Sequence, residues 1–131
     1  MILILTAEFY PEITEILESS VIETLPKDEK YEVVRVPGAV ELPIVAQKFI
    51  RSKKPAVVIA LGCVIKGETD HYDFVLRSCI DGLNRVSLDE SIPIVQGVLA
   101  CKNKAQAEDR KIRKGEEFAK TALAMKKLFS T

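Results

Sequence analysis

A chain of 131 residues, 47% of them hydrophobic, is long enough for one domain with a real core and too apolar to stay disordered. Nineteen basic and nineteen acidic residues cancel, so charge advertises neither a nucleic-acid nor a membrane surface. Three widely spaced cysteines, Cys63, Cys79 and Cys101, stand in apolar contexts and read as reduced core thiols of a cytoplasmic protein; with one histidine and no C-x-x-C pair, a zinc site has no support.

Residues 1–5 are apolar, but the run stops at Thr6 and has no basic flank, so residues 2–6 read as a first strand rather than a signal peptide or a spanning helix. Residues 7–10 are the loop after it, and Pro11 suits the first turn of a helix. Ile13, Ile16, Leu17, Val21 and Leu25 follow at helical spacing until Pro26 ends the run. Residues 27–30 are a charged connection. Residues 31–36 alternate and are β-branched, which predicts a second strand. Residues 37–41, Pro-Gly-Ala-Val-Glu, form a second strand-to-helix loop. Leu42, Val45, Ala46 and Phe49 carry the next helix, with Pro43 in its first turn, and the basic segment 51–55 closes it. The continuous apolar run 56–61 predicts a buried parallel strand. Residues 62–71 turn at its carboxyl end into a helix bearing Tyr72, Val75, Cys79, Leu83 and Val86, closed by 87–91. Residues 93–99 are a fourth strand. Residues 103–113 are polar and helical, and Gly115 separates them from, or kinks them into, a last helix with Phe118, Ala122, Met125 and Phe129 on one face. Strands alternating with helices predict an α/β protein: a single three-layer α/β/α domain over 1–131, with a four-stranded parallel sheet and right-handed crossovers. The first, third and last helices are apolar over a wide arc, which points to faces covered by other subunits.

Ligands of open α/β sheets bind outside the carboxyl ends of the strands. Segments 7–10, 37–41, 62–71 and 100–103 all end strands on that edge and gather Phe9, Glu41 and His71. Such a set could stack on a planar ring, accept hydrogen bonds from hydroxyl groups and move protons. Plainer readings stand beside these: Phe9 as a cover of the core, Glu41 as a complement to the helix dipole, His71 as a structural residue. A helix N-terminus favours the neutral imidazole, a base near pH 7, while Glu68, Asp70 and Asp73 oppose it. Thr69 or Asp70 can cap the helix, and the N–H groups beyond form an anion site; Gly62 and Gly67 let backbone approach a ligand. Arg110, Lys111, Arg113 and Lys114 are either a solvated helix face or the source of the cation that the turn, with only Lys66, lacks. There is no P-loop, dinucleotide fingerprint or nucleophile elbow. A first loop without glycine argues against a flavodoxin-type phosphate loop, and Gly62-Cys63 in place of an aspartate argues against a phospho-receiver domain.

Val36-Pro37-Gly38-Ala39-Val40-Glu41-Leu42-Pro43 resembles the VPGAFE(I/L)P segment of the 6,7-dimethyl-8-ribityllumazine synthase family. Gly62-Cys-Val-Ile-Lys-Gly-Glu-Thr-Asp-His71-Tyr-Asp-Phe-Val75 resembles its G-x-V-I-[RK]-G-x-T-x-H-[YF]-[DE]-x-[VI] signature. Ala7-Glu8-Phe9-Tyr10 is similar to its A-R-F-N loop, with Tyr10 in place of Asn. Pro93 to Leu99 and Ala105 to Arg110 resemble two further segments, so the match runs along nearly the whole chain. The expected fold is then flavodoxin-like, with strand order 2-1-3-4. The resemblance implies a transferase of riboflavin biosynthesis. It condenses 5-amino-6-(D-ribitylamino)uracil with 3,4-dihydroxy-2-butanone 4-phosphate to give 6,7-dimethyl-8-ribityllumazine, phosphate and water. It implies no cofactor and no metal, small-molecule substrates, and neither nucleic acid nor membrane as partner.

Carried over by position, Phe9 stacks on the pyrimidine. Ala39, Val40 and Glu41 line the ribityl chain. Cys63, Val64 and Ile65 present backbone groups to the ring. Glu68 and Thr69 contact the phosphate, and His71 transfers protons. Arg110 of an adjacent subunit pairs with the phosphate. Lys114, or Arg113 in its place, approaches the ring or its side chain. Gln96 stands where many members place an aromatic contact, which makes that wall more polar. The resemblance also implies a homo-oligomer with sites shared between adjacent subunits. A short segment from Arg110 to Lys114 without a glycine-rich loop, and no N-terminal extension, imply a pentamer or a decamer rather than a shell of sixty. Two relatives by fold are the alternatives: a non-catalytic flavin- or lumazine-binding protein, and an archaeal-type riboflavin synthase, which needs no phosphate site.

Overall fold

The computed structural model describes residues 1–68 and 71–131. Among these, four strands alternate with four α-helices: β1 (Ile2–Ala7), α1 (Pro11–Thr24), β2 (Tyr31–Val36), a 3-10 turn (Ala39–Glu41), α2 (Leu42–Lys53), β3 (Val57–Ile65), α3 (Tyr72–Glu90), β4 (Ile94–Cys101) and α4 (Lys104–Phe129). All strand pairs are parallel, in the order β2-β1-β3-β4, as expected. Ile4 lies between Val33 and Ile59, and Ala60 lies beside Gln96.

The alternation of side chains across the pleat divides the core into two layers. Ile2, Ile4, Ile59 and Leu61 meet Ile13, Leu17 and Val21 of α1 and Ala119 and Ala122 of α4. Leu3, Leu5, Val58 and Ala60 meet Leu42 and Ala46 of α2 and Cys79 and Leu83 of α3. With helices on both faces, β1 and β3 have no solvent side, which is why they read as unbroken apolar runs. Pro11 opens α1, where its missing N–H is no loss. At α4, Asn103 Oδ1 accepts from the Gln106 N–H at 2.9 Å and Gln106 Oε1 accepts from the Lys102 N–H at 2.8 Å, two reciprocal bonds that fix the helix start.

Three features differ from the sequence expectation. Strand β3 does not end before Gly62 but runs to Ile65, because β4 also runs on, to Cys101, and pairs Gly62 with Val98 and Ile65 with Cys101. Gly62 is thus a strand residue, packed against Ala7 and Val98. Gly115 neither breaks nor kinks the last helix, since α4 is one helix of 26 residues. A Cβ at Gly115 would stand 2.6 Å from the Ser20 side chain and 2.9 Å from the Leu17 carbonyl oxygen, so the glycine lets α4 lie directly on α1. The outer arc of α1 is covered largely by α4 of the same chain. Its polar members are satisfied there: the Ser20 hydroxyl donates to the Ile112 carbonyl at 2.6 Å, and the Glu18 carboxylate accepts from the Thr6 hydroxyl at 2.8 Å and from Arg35 at 3.0 Å. Helices α3 and α4, by contrast, leave Phe74, Leu88, Ile112, Leu128 and Phe129 exposed.

Candidate functional site

The carboxyl ends of β1, β2 and β3 are tied together by backbone. Past β1, the Glu8 N–H donates to the Val36 carbonyl at 2.7 Å, which draws the loop carrying Phe9 against the end of β2. Past β2, the 3-10 turn at 39–41 closes through the Glu41 N–H on the Gly38 carbonyl at 3.2 Å. A Cβ at Gly38 would sit 3.1 Å from Glu41 Oε1, so the glycine makes room for that carboxylate to fold back over the turn. Past β3, the Lys66 N–H donates to the Cys101 carbonyl at 2.8 Å, and Gly67, at φ 87°, takes the left-handed conformation that a side chain would resist.

These ends surround a cleft of about 440 Å³ lined by Phe9, Tyr10, Gly38, Ala39, Val40, Glu41, Cys63, Val64, Ile65, Glu68 and Val75. Phe9, Ala39, Val40, Glu41, Cys63, Val64, Ile65 and Glu68 were all expected from sequence to serve one site, and one cavity holds them. A larger depression, about 630 Å³, lies on the outer face of α3, but its walls, Asp73 to Asp81, come from that helix alone and converge on nothing. Phe9 is 64% exposed, so it is not a cover of the core. His71 is the N-cap of α3 and exposed; its carbonyl accepts from the Val75 N–H at 2.8 Å, and its side chain does not cap the helix. Thr69 and Asp70, expected to cap α3 and, for Thr69, to bind phosphate, lie outside the described residues.

Other expected site residues stand apart from this cleft. Gln96 is in the middle of β4, where its Oε1 accepts from the Val98 N–H at 2.7 Å. Arg110 is half-buried on α4 beside the Cys101 thiol. Lys114 pairs with Glu117 at 3.1 Å, and Arg113 is exposed. The site's thiol is chemically quiet: burial, then nearby negative charge, pushes Cys63 up to about 12. Burial pushes Cys79 up to about 11, and all three cysteines are buried and unpaired. Among the described residues, no group of three or more His, Cys, Asp and Glu side chains is arranged to hold a metal ion, and no helix is long and apolar enough to cross a membrane.

The family model described as 6,7-dimethyl-8-ribityllumazine synthase matches residues 1–130. The chain belongs to that family. A relative from Stenotrophomonas maltophilia bearing the same name is 46% identical over 98 residues, which is 72% of this chain and 63% of the relative. One from Thermococcus kodakarensis is 42% identical over 103 residues, 76% of this chain and 66% of the relative. The aligned stretch thus spans a little under two thirds of each relative.

Within this family chain, Tyr10 is the cleft residue to which sequence reasoning gave no role. Its backbone is left-handed, at φ 64° and ψ 60°, where it serves as the N-cap of α1. Its ring lies 4.8 Å from that of Phe9, tilted by 33°. Its hydroxyl donates to the Glu68 carboxylate, and burial, then that carboxylate, raises the phenol above its ordinary range. The adjacent aromatics after β1 were the available signal. As a whole the cleft offers an exposed aromatic face, a carboxylate beside a backbone turn, and strand-end peptide groups. That set suits a flat polar ring with a hydroxylated tail better than it suits a nucleophilic or metal-assisted reaction.

Proposed function

We propose that this chain forms 6,7-dimethyl-8-ribityllumazine from 5-amino-6-(D-ribitylamino)uracil and 3,4-dihydroxy-2-butanone 4-phosphate. The observation that carries the reading is the meeting of Phe9, the 39–41 turn, the 63–65 strand end and Glu68 around one cleft in a chain of this family. The pyrimidine stacks on Phe9 and takes hydrogen bonds from the backbone at Cys63, Val64 and Ile65. The ribityl chain runs along Ala39 and Val40 to the Glu41 carboxylate. The phosphate lies at Glu68 and Thr69, ahead of the positive end of α3. The ring amine attacks the ketone and water leaves to give an imine. Phosphate then departs, and the ribityl-bearing nitrogen closes the second ring with loss of water. His71 moves the protons. Most of the acceleration comes from holding two substrates in register, with acid–base help added to it. No step calls for a cofactor or metal.

The protein works as a ring of subunits, a pentamer or a pair of them, with each cleft completed by a neighbour. Arg110, with Lys114 or Arg113, supplies the cations for the phosphate and ring, and Gln96 a polar wall. Their positions away from the cleft of their own chain support this, as do the exposed apolar side chains of α3 and α4. Residues 1–131 act as one domain, whose two core layers share one sheet. Three buried unpaired thiols support a reducing, cytoplasmic setting.

The test mixes purified protein with both substrates and follows lumazine fluorescence together with free phosphate. The two should rise in step. Tight flavin or lumazine binding with no turnover would instead make the chain a binding relative, and riboflavin formed from lumazine without phosphate release would make it a riboflavin synthase.

A further inference from the structure

Tyr10 adopts a conformation that its own chemistry opposes. A left-handed backbone crowds the Cβ of any residue but glycine, and a bulky ring gains nothing from it. The proline that follows disfavours the right-handed helical alternative. The position is held by α1: the Tyr10 carbonyl accepts from the N–H groups of Ile13 at 2.9 Å and Thr14 at 3.0 Å, and from the Thr14 hydroxyl at 3.3 Å. Strain that the surrounding structure holds in place, at the wall of a cleft, calls for a role there.

The consequence of this backbone is where it sends the side chain. The ring is packed against the core layer under α1 on one side and the Phe9 ring on the other. The hydroxyl crosses from the β1–α1 loop to Glu68, which lies just beyond β3. Two separate strand ends are thus joined by one side chain. Glu68 is the residue that gains most: a bare carboxylate beside an anion site repels the anion, and a donated hydrogen bond both turns it toward Tyr10 and spreads its charge.

We propose that Tyr10 is a positioning residue of the cleft, its ring backing the exposed face of Phe9 and its hydroxyl tethering Glu68 away from the phosphate. This deepens the lumazine-forming reading and rests on it for the identity of the two substrates. The ring and the hydroxyl then serve different substrates, which separates them experimentally.

The test compares Tyr10→Phe and Tyr10→Asn with the unaltered protein by steady-state kinetics on both substrates. Equilibrium titrations with inorganic phosphate and with riboflavin, a planar ring carrying the same ribityl chain, need no turnover. Tyr10→Phe should raise the KM for the butanone phosphate and weaken phosphate binding about 3- to 10-fold, leaving the pyrimidine KM and riboflavin binding within about twofold. Tyr10→Asn, which suits the left-handed backbone, should keep or raise the urea midpoint yet weaken both ligands, riboflavin and the pyrimidine by roughly 10-fold. Unchanged phosphate binding in Tyr10→Phe overturns the proposal. So does a loss of both ligands in step with a fall in the urea midpoint, the mark of a merely structural residue. Should the unaltered protein turn nothing over, the lumazine reading fails, and the same split in the two titrations still decides the case for Tyr10.

Discussion

Phe9 turns most of its ring to water, and an exposed phenyl ring forgoes about 2 kcal/mol that burial would return. A planar ligand laid on it recovers that term. Phe9→Ala should therefore cost less than about 1 kcal/mol in stability, as an exposed site does, while raising the KM for the pyrimidine roughly 10-fold. Thermal melts and initial rates on the same preparation check the two halves. His71 is placed to move protons, not to bind. His71→Asn should lower kcat on the order of 100-fold with little change in either KM, leaving a residual rate from substrate approximation. The cysteines give a pH dependence whose sign is set by burial. Cys63 and Cys79 are raised from 9.0 to about 12 and about 11, so between pH 9 and those values the unfolded chain loses thiol protons that the folded chain keeps. Stability is full below pH 9 and falls as pH rises through that window. Urea midpoints measured from pH 8 to 11 should decline, and the decline should be shallower in Cys79→Ala.

At the scale of the element, the crossing of α1 on α4 is the tightest test of the packing. Gly115→Ala gains about 1 kcal/mol of helix propensity. It also drives a methyl group into Ser20 and into the Leu17 carbonyl at 2.9 Å, a backbone oxygen that cannot rotate away. Overpacking of that kind costs about 1–3 kcal/mol, so the substitution should destabilise, and chemical denaturation reads the sign directly. Here the sequence was ambiguous for a physical reason. A glycine inside a helical pattern looks the same whether it ends the helix or admits a neighbour, and only the partner, Ser20, tells them apart. Strand β3 was cut short for a related reason: Gly62 resembled a turn until β4 supplied the partner that carries pairing on to Ile65. Helix starts and stops that depend on local chemistry, such as Pro11 and Pro26, were legible without the structure. The Glu18 carboxylate, buried between Thr6 and Arg35, was not, because nothing local marks a charge for burial.

At the scale of the whole molecule, the site is legible in sequence as far as the strand ends that the topology collects. It becomes illegible where a neighbouring chain would enter. Arg110 and Lys114 have no visible duty in one chain, whose cleft they do not line. Sharing between subunits makes a sharp prediction. His71→Asn and Arg110→Ala, each poorly active alone, should recover about a quarter of full activity when unfolded together and reassembled, because a quarter of random interfaces pair an intact His71 with an intact Arg110. A site built within one chain would show no recovery. Light scattering should give five or ten times the 14.6 kDa of the chain.

The strand order has a consequence for how the chain is made. β1 lies inside the sheet between β2 and β3, yet it is the first segment out of the ribosome. Its partner on one side follows within three dozen residues, at Tyr31–Val36, but the other side waits for Val57–Ile65. Until then Ile2, Leu3, Ile4 and Leu5, each fully buried in the finished fold, offer an open, sticky edge. Nascent chains stalled before residue 57 should need a holdase to stay in solution, and those that have released β3 should not.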